Sequence, residues 1–137
     1  MKCYIIDTNC LISYTTTRNK AQSEKISFYI EDASNLKSEI MILSNIITEF
    51  VYTLQTVYRV DSKSINCMLC DLLKNPGIQY HHGYFISNIF SFWPDKIKDY
   101  GDAVLAAAAL ELKTPVLTFD KPFTKQMSLL NIPHKLL

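Results

Sequence analysis

Apolar residues follow two rhythms along this chain: short unbroken runs of β-formers, and longer stretches in which they return every three or four positions. Cys3-Tyr4-Ile5-Ile6 is the first unbroken run, too short for a helix, and predicts a strand buried on both faces that ends at Asp7-Thr8-Asn9. Helical spacing appears from about Ser23 to Asp32 through Ile26, Tyr29 and Ile30, and Ser34-Asn35 breaks it. Ile40-Met41-Ile42-Leu43 is a second strand-like run. Ser44 is then expected to cap a stronger helix, with Ile46, Ile47, Phe50, Val51, Leu54, Val57 and Tyr58 on one face and Glu49 just outside it. A further helix is predicted from about Ser62 to Lys74, stopped by Asn75-Pro76-Gly77, with a strand from Ile78 to His82. A weak helical segment covers Tyr84 to Phe92. Asp99-Tyr100-Gly101-Asp102 opens an alanine-rich helix from Ala103 to Leu112, and Val116-Leu117-Thr118-Phe119 is another buried strand followed directly by Asp120 and a short helix near Pro122.

Strands and helices that alternate in this way predict an α/β fold, a three-layer sandwich whose central, mostly parallel sheet is flanked by helices. With 137 residues and no linker or internal repeat, residues 1–137 are expected to form a single domain. The 48% hydrophobic content suffices for a core, and 3 Gly with 20% charged residues exclude collagen-like and disordered classes. The longest apolar stretch, Ala103 to Leu110, is too short to span a bilayer, and the N-terminal apolar run is cut off by Asp7, so no membrane association and a cytoplasmic location are expected. Cys3, Cys10, Cys67 and Cys70 are expected to be thiols rather than a disulfide framework.

The net charge of +1 leaves neither half of the chain strongly basic, so any nucleic-acid role must come from a particular site rather than a basic stripe. In parallel α/β sheets, ligands bind outside the carboxyl ends of the strands. The runs ending at Ile6 and Phe119 deliver Asp7 and Asp120 to that edge. Helices that follow strands begin at the same edge, which adds Glu49 and Asp102. Four carboxylates brought together repel one another, and a hard, oxygen-preferring cation such as Mg²⁺ or Mn²⁺ relieves the conflict. Such a centre suits phosphoester hydrolysis. Arg18, Lys20, Lys121 and Lys125 are candidates for holding flanking phosphates.

Four segments together resemble the PIN-domain nucleases, and among them the small VapC-type ribonuclease toxins of toxin–antitoxin pairs. They are Ile5-Ile6-Asp7-Thr8-Asn9, Ile47-Thr48-Glu49, Asp99-Tyr100-Gly101-Asp102-Ala103, and Val116-Leu117-Thr118-Phe119-Asp120-Lys121-Pro122-Phe123, and the likeness runs over nearly the whole chain. The resemblance implies that Asp7, Glu49, Asp102 and Asp120 form an acidic Mg²⁺ or Mn²⁺ site, with Asn9 and Thr118 as polar supports. Asp102 is favoured as the third acid, with Asp99 accessory to it. The resemblance further implies RNA as substrate, a homodimer, and a silencing antitoxin partner.

Each acid also has a purely structural use. Asp7 and Asp120 suit helix or turn caps, Asp99 and Asp102 suit an N-cap and an N3 acid, and Glu49 suits a solvated surface. Cys67 and Cys70 lie inside a helical pattern and are expected to be buried structural thiols, because no second pair completes a zinc site. His81 and His82, as strand neighbours, point to opposite faces and do not share a metal. Most Tyr and Phe are expected in the core. Among other functions, a haloacid-dehalogenase-like phosphatase would use Asp7 as nucleophile but expects an acid where Asn9 stands. A receiver-like domain expects paired acids that are not legible, and a catalytically inactive PIN-like interaction module remains compatible with the near-neutral charge.

Overall fold

The computed structural model describes residues 1–137. Its strands are β1 (Lys2–Ile6), β2 (Ser38–Leu43), β3 (Ile78–His81), β4 (Val116–Thr118) and β5 (His134–Leu136). Its helices are α1 (Thr8–Thr15), α2 (Lys20–Ser34), α3 (Ser44–Thr56), α4 (Ser62–Leu73), α5 (Ile86–Phe92), α6 (Tyr100–Leu112) and α7 (Lys121–Leu129). The five strands form one sheet in the order β3-β2-β1-β4-β5, and every pairing is parallel. This is the expected α/β sandwich, with the parallel sheet complete rather than mostly so.

The order of the strands fixes where a site can form. From β1 the chain moves outward through β2 to β3, then returns and places β4 on the opposite side of β1. Connections therefore leave β1 and β4 in opposite directions, and a crevice opens between their carboxyl ends. Ile5 pairs with Val116 and Ile6 with Leu117. Continuing that register by one residue sets Asp7 beside Thr118, and the Asp7 N–H donates to the Leu117 carbonyl at 3.1 Å.

The core is one cluster of 33 buried hydrophobic residues. Ile5, Ile6, Ile40, Ile42, Val116 and Leu117 are fully covered or nearly so, because helices lie on both faces of the sheet. In α6 the seven consecutive residues Ala103 to Ala109 are all buried, so this helix is enclosed on every side. Five small alanine side chains allow that close approach. Ile46, Phe50 and Leu54 form the buried stripe of α3.

Several sequence expectations need correction. The pattern gave no sign of α1, whose five buried residues include Thr8, Cys10 and Ser13 and form no apolar stripe. Nor did it reveal β5, a three-residue edge strand. Ser44 is the first residue of α3 rather than its side-chain cap. Leu43 holds the N-cap position without a capping bond, and the Ser44 hydroxyl instead donates to the His81 carbonyl and shares a 2.8 Å hydrogen bond with His82 Nδ1. Cys67 and Cys70 are exposed on α4, not buried, although all four cysteines are indeed free. Many aromatic rings are also at the surface, including Tyr14, Phe28, Tyr52, Tyr84, Phe90, Trp93 and Tyr100.

Phe50, wholly buried at the centre of the α3 stripe, provides a test of this core: Phe50→Ala is expected to lower the unfolding free energy by about 3–5 kcal/mol in urea titrations.

Candidate functional site

The crevice between β1 and β4 holds a cavity of about 380 Å³ lined by Asp7, Thr8, Asn9, Glu49, Asp99, Asp102 and Asp120, together with Tyr52 and Thr53 from α3 and Ile12 from α1. The five acids come from four separate parts of the chain. Three aspartates are also helix caps, so the structural use and a place in the cavity coexist in one side chain. Asp7 Oδ1 accepts from the Thr8 N–H at 2.7 Å at the start of α1. Asp99 Oδ1 accepts from the Asp102 N–H at 2.9 Å at the start of α6. Asp120 Oδ1 accepts from the Phe123 N–H at 3.0 Å at the start of α7. Capping orients each carboxyl group and leaves acceptor capacity facing the cavity.

Thr118 ties two of these acids together. Its hydroxyl donates to Asp7 Oδ2 at 2.7 Å and accepts from the Asp120 N–H at 3.0 Å. Thr8 does the same work across to α3, its hydroxyl donating to Glu49 Oε2 at 2.7 Å. Gly101 is the other determinant of the Glu49 position, because a Cβ there would fall on Glu49 Oε1. Glycine leaves the Glu49 carboxylate room to lie against the first turn of α6, and a methyl group there would push it aside. Thr8, Tyr52, Thr53 and Gly101 were not picked out as site residues from the sequence. Tyr52 and Thr53 follow Glu49 by three and four residues, the spacing of one helix face, which was the available signal.

No lysine, arginine or histidine lines the cavity. Its acids therefore face one another without a counter-charge. Burial, chiefly, pushes the Asp7 carboxyl from the ordinary 3.8 up to about 6, with Glu49 and Asp120 adding to the rise against the opposing hydrogen bonds from Thr118 and Thr8. Asp102 rises to about 8, first through burial and then through the charges of Asp7, Asp99, Asp120 and Glu49. The Asp102 carboxyl group accepts no hydrogen bond from the protein to offset this.

The donor set is all oxygen, which suits a hard divalent cation. The acids do not close into a group of three or more ligands around one point; they rim an open cavity instead. Mg²⁺ and Mn²⁺ fit such a rim, because these ions retain several waters and use few direct carboxylate bonds. The remaining sequence candidates sit outside the ring. The Arg18 guanidinium is engaged with the Ser13 hydroxyl, the Asn9 carbonyl and Gln22 Oε1, fastening α1 to α2. Lys20, Lys121 and Lys125 are exposed and do not line the cavity. His81 stacks on Phe85 with ring centroids 5.9 Å apart while His82 meets Ser44, so the two histidines do not converge.

The family model for the PIN domain matches residues 4–126. No curated protein matches the chain. Solved structures share its fold at low identity. VapBC2 from Rickettsia felis, bound to a DNA fragment from its promoter, is 14% identical with a TM-score of 0.68 over 98% of both chains. VapBC-1 from nontypeable Haemophilus influenzae is 16% identical with a TM-score of 0.63, covering 98% of this chain and 97% of that one. FitAcB from Neisseria gonorrhoeae is 11% identical with a TM-score of 0.64, covering 96% and 95%.

The charge conflict makes stability depend on pH. An acid whose folded-state pKa exceeds its unfolded value keeps a proton that the unfolded chain has lost, so stability falls as pH rises between the two values. Metal-free protein should therefore lose thermal stability between about pH 4 and pH 8, and Asp102→Asn should raise its Tm at pH 8 by a few degrees, at about 2–8 °C per kcal/mol; scanning calorimetry in EDTA checks both. Gly101→Ala should leave Tm nearly unchanged, because the displaced Glu49 carboxylate is the flexible end of a side chain, yet weaken Mn²⁺ binding in calorimetric titration by about 10- to 100-fold, the usual effect of disturbing ligand positioning. Matching the family model over most of its length and carrying the paired-acid crevice at its strand crossover, the chain belongs to the PIN-domain family.

Proposed function

We propose that this protein is a metal-dependent endoribonuclease that hydrolyses RNA phosphodiester bonds at the Asp7, Glu49, Asp102 and Asp120 site, acting in the cytoplasm as the toxin of a type II toxin–antitoxin pair. The observation that carries the proposal is a ring of carboxylates from distant parts of the chain, drawn together without any basic side chain, in which Asp102 is pushed to about 8. Bound at the ring, Mg²⁺ or Mn²⁺ supplies charge neutralisation and Lewis acidity at the scissile phosphate.

The chain's own residues prepare that centre. Asp7 is 6% exposed and held through both oxygens, so its position is set before any ligand arrives. That rigidity suits a metal ligand and is unlike the accessible nucleophile a phospho-aspartyl enzyme needs. Glu49 is aimed from α3 by Thr8, Asp120 is steadied by Thr118, and Asp99 fixes the first turn of α6 from which Asp102 projects. Asp102 is the main third acid and Asp99 its accessory. Asn9, exposed at the rim, serves as a polar contact. Lys20, Lys121 and Lys125 contribute to flanking phosphates as solvated charges, and Arg18 does so only by leaving its bonds to α1.

The partner side of the proposal draws support from the likeness to VapBC and FitAcB structures over nearly the full chain. An antitoxin that inserts a cation into an acidic crevice without positive charge would satisfy the same repulsion as the metal. A homodimer is part of this reading. Residues 1–137, with one sheet and one core cluster, act as one domain.

Purified protein is expected to cleave single-stranded RNA with Mg²⁺ or Mn²⁺, and to stop in EDTA. Asp7→Asn should lower the rate by at least about 10²-fold, the scale of losing one preorganised charge-stabilising group. Gel-based cleavage of a labelled RNA measures this, and full activity in Asp7→Asn would refute the assignment. A chain that folds and binds no Mn²⁺ would instead be the inactive interaction module.

A further inference from the structure

A second cavity, of about 330 Å³, shares Glu49 with the carboxylate-lined one. Glu49 lines both cavities, and Gly101, against its carboxylate, lines the second. The second cavity has a different chemistry. Ile86 and Val104 give it apolar surface, and Tyr84 and Tyr100 add two rings that are 47% and 43% exposed. The Tyr100 ring is held edge-on by Trp93, with centroids 5.3 Å apart, and the Trp93 indole N–H in turn donates to the Lys98 carbonyl at 3.1 Å. This wall is built before any ligand binds.

Besides Glu49, the polar side chain of note in this cavity is Asn45, at the start of α3. Both its Nδ2 and Oδ1 are shielded from water and have no hydrogen-bond partner in the protein. A buried amide with neither end satisfied is uncommon and asks for a function. Turned about its side-chain bonds, it would offer the cavity one donor and one acceptor side by side, the pattern complementary to the edge of a nucleobase. Aromatic rings beside a convergent polar group are how proteins hold unstacked bases of single-stranded RNA. An acidic or phosphate group is poorly suited here, because Glu49 forms one wall.

We propose that this cavity is a nucleobase subsite for the RNA substrate. A base adjoining the scissile phosphate lies against Tyr84 and Tyr100 and pairs its edge with the Asn45 amide, which turns into the cavity about its own side-chain bonds. The inference rests on the nuclease reading of the acidic site and adds to it a source of sequence preference. Glu49 then has two neighbours, the reacting phosphate on one side and the selected base on the other, so preference is set one nucleotide from the cut.

The test is the base preference at each position around the cut, read by sequencing the products of a randomised single-stranded RNA pool with Mn²⁺ and normalised to each variant's total cleavage. Asn45→Leu should flatten the preference at one position beside the cut by about tenfold or more, the discrimination typical of a two-fold side-chain contact to a base. Tyr84→Ala should raise KM by about tenfold with a smaller change in kcat, and Tyr84→Phe should restore it, as stacking requires. Tyr84 lies outside the helices, so this pair remains informative should Asn45→Leu fail to fold. Cleavage by wild type with a profile unchanged in Asn45→Leu and a KM unchanged in Tyr84→Ala overturns the subsite alone. Absence of cleavage by folded wild type overturns the nuclease reading and the subsite with it. A Tyr84→Ala chain that changes from dimer to monomer in sedimentation while keeping its KM assigns this face to subunit contact and also overturns the subsite.

Discussion

Repulsion among carboxylates held where the strand order reverses is the constraint around which this protein is arranged. The parallel sheet places the ends of β1 and β4 side by side, and the residues that follow are Asp7 and, two past Thr118, Asp120. Helices entering the same edge add Glu49 and Asp102. Left in water such groups would separate, so the fold must hold them in place. It does so with helix caps, two threonine hydroxyls and one glycine, each a local device fixed by the backbone. The buried core carries the cost, in keeping with the general finding that function is placed on a scaffold whose remaining parts supply the stability.

Much of this was legible from the sequence because it rests on short-range pattern. Short runs of β-forming, mostly apolar residues marked β1, β2 and β4, and the acid after each of two runs marked the crevice. What stayed hidden depended on tertiary placement. Helix α1 is buried on several sides and includes Thr8 and Ser13 among its covered residues, so no periodic stripe announces it. The role of Thr8 follows only from the approach of α3, forty-one residues away. Gly101 reads as an ordinary helix-start residue until the Glu49 carboxylate is seen against it.

The surface tells a similar story. A helical spacing suggested that Cys67 and Cys70 face inward, yet α4 buries chiefly Ile65 and Leu72 and turns both thiols to solvent. Aromatic residues expected in the core from their place on helical apolar stripes are exposed in number, and two of them stand at a cavity bordering the acids. Helical period identifies a face but not which neighbour covers it. Capping and a place in the cavity are not alternatives for Asp7, Asp99 and Asp120: a carboxylate has acceptor sites enough to cap a helix and still offer oxygen to the cavity.

Carboxyl groups crowded in this way keep protons that an incoming cation must displace. Isothermal titration of Mn²⁺ at pH 7 in buffers of different ionisation enthalpy counts those protons directly. With Asp102 near 8 and Asp7 near 6, binding should release about one proton per site, and the release should shrink as the pH is raised above 8. Binding with no proton release at pH 7, or no binding at all, would contradict that displacement.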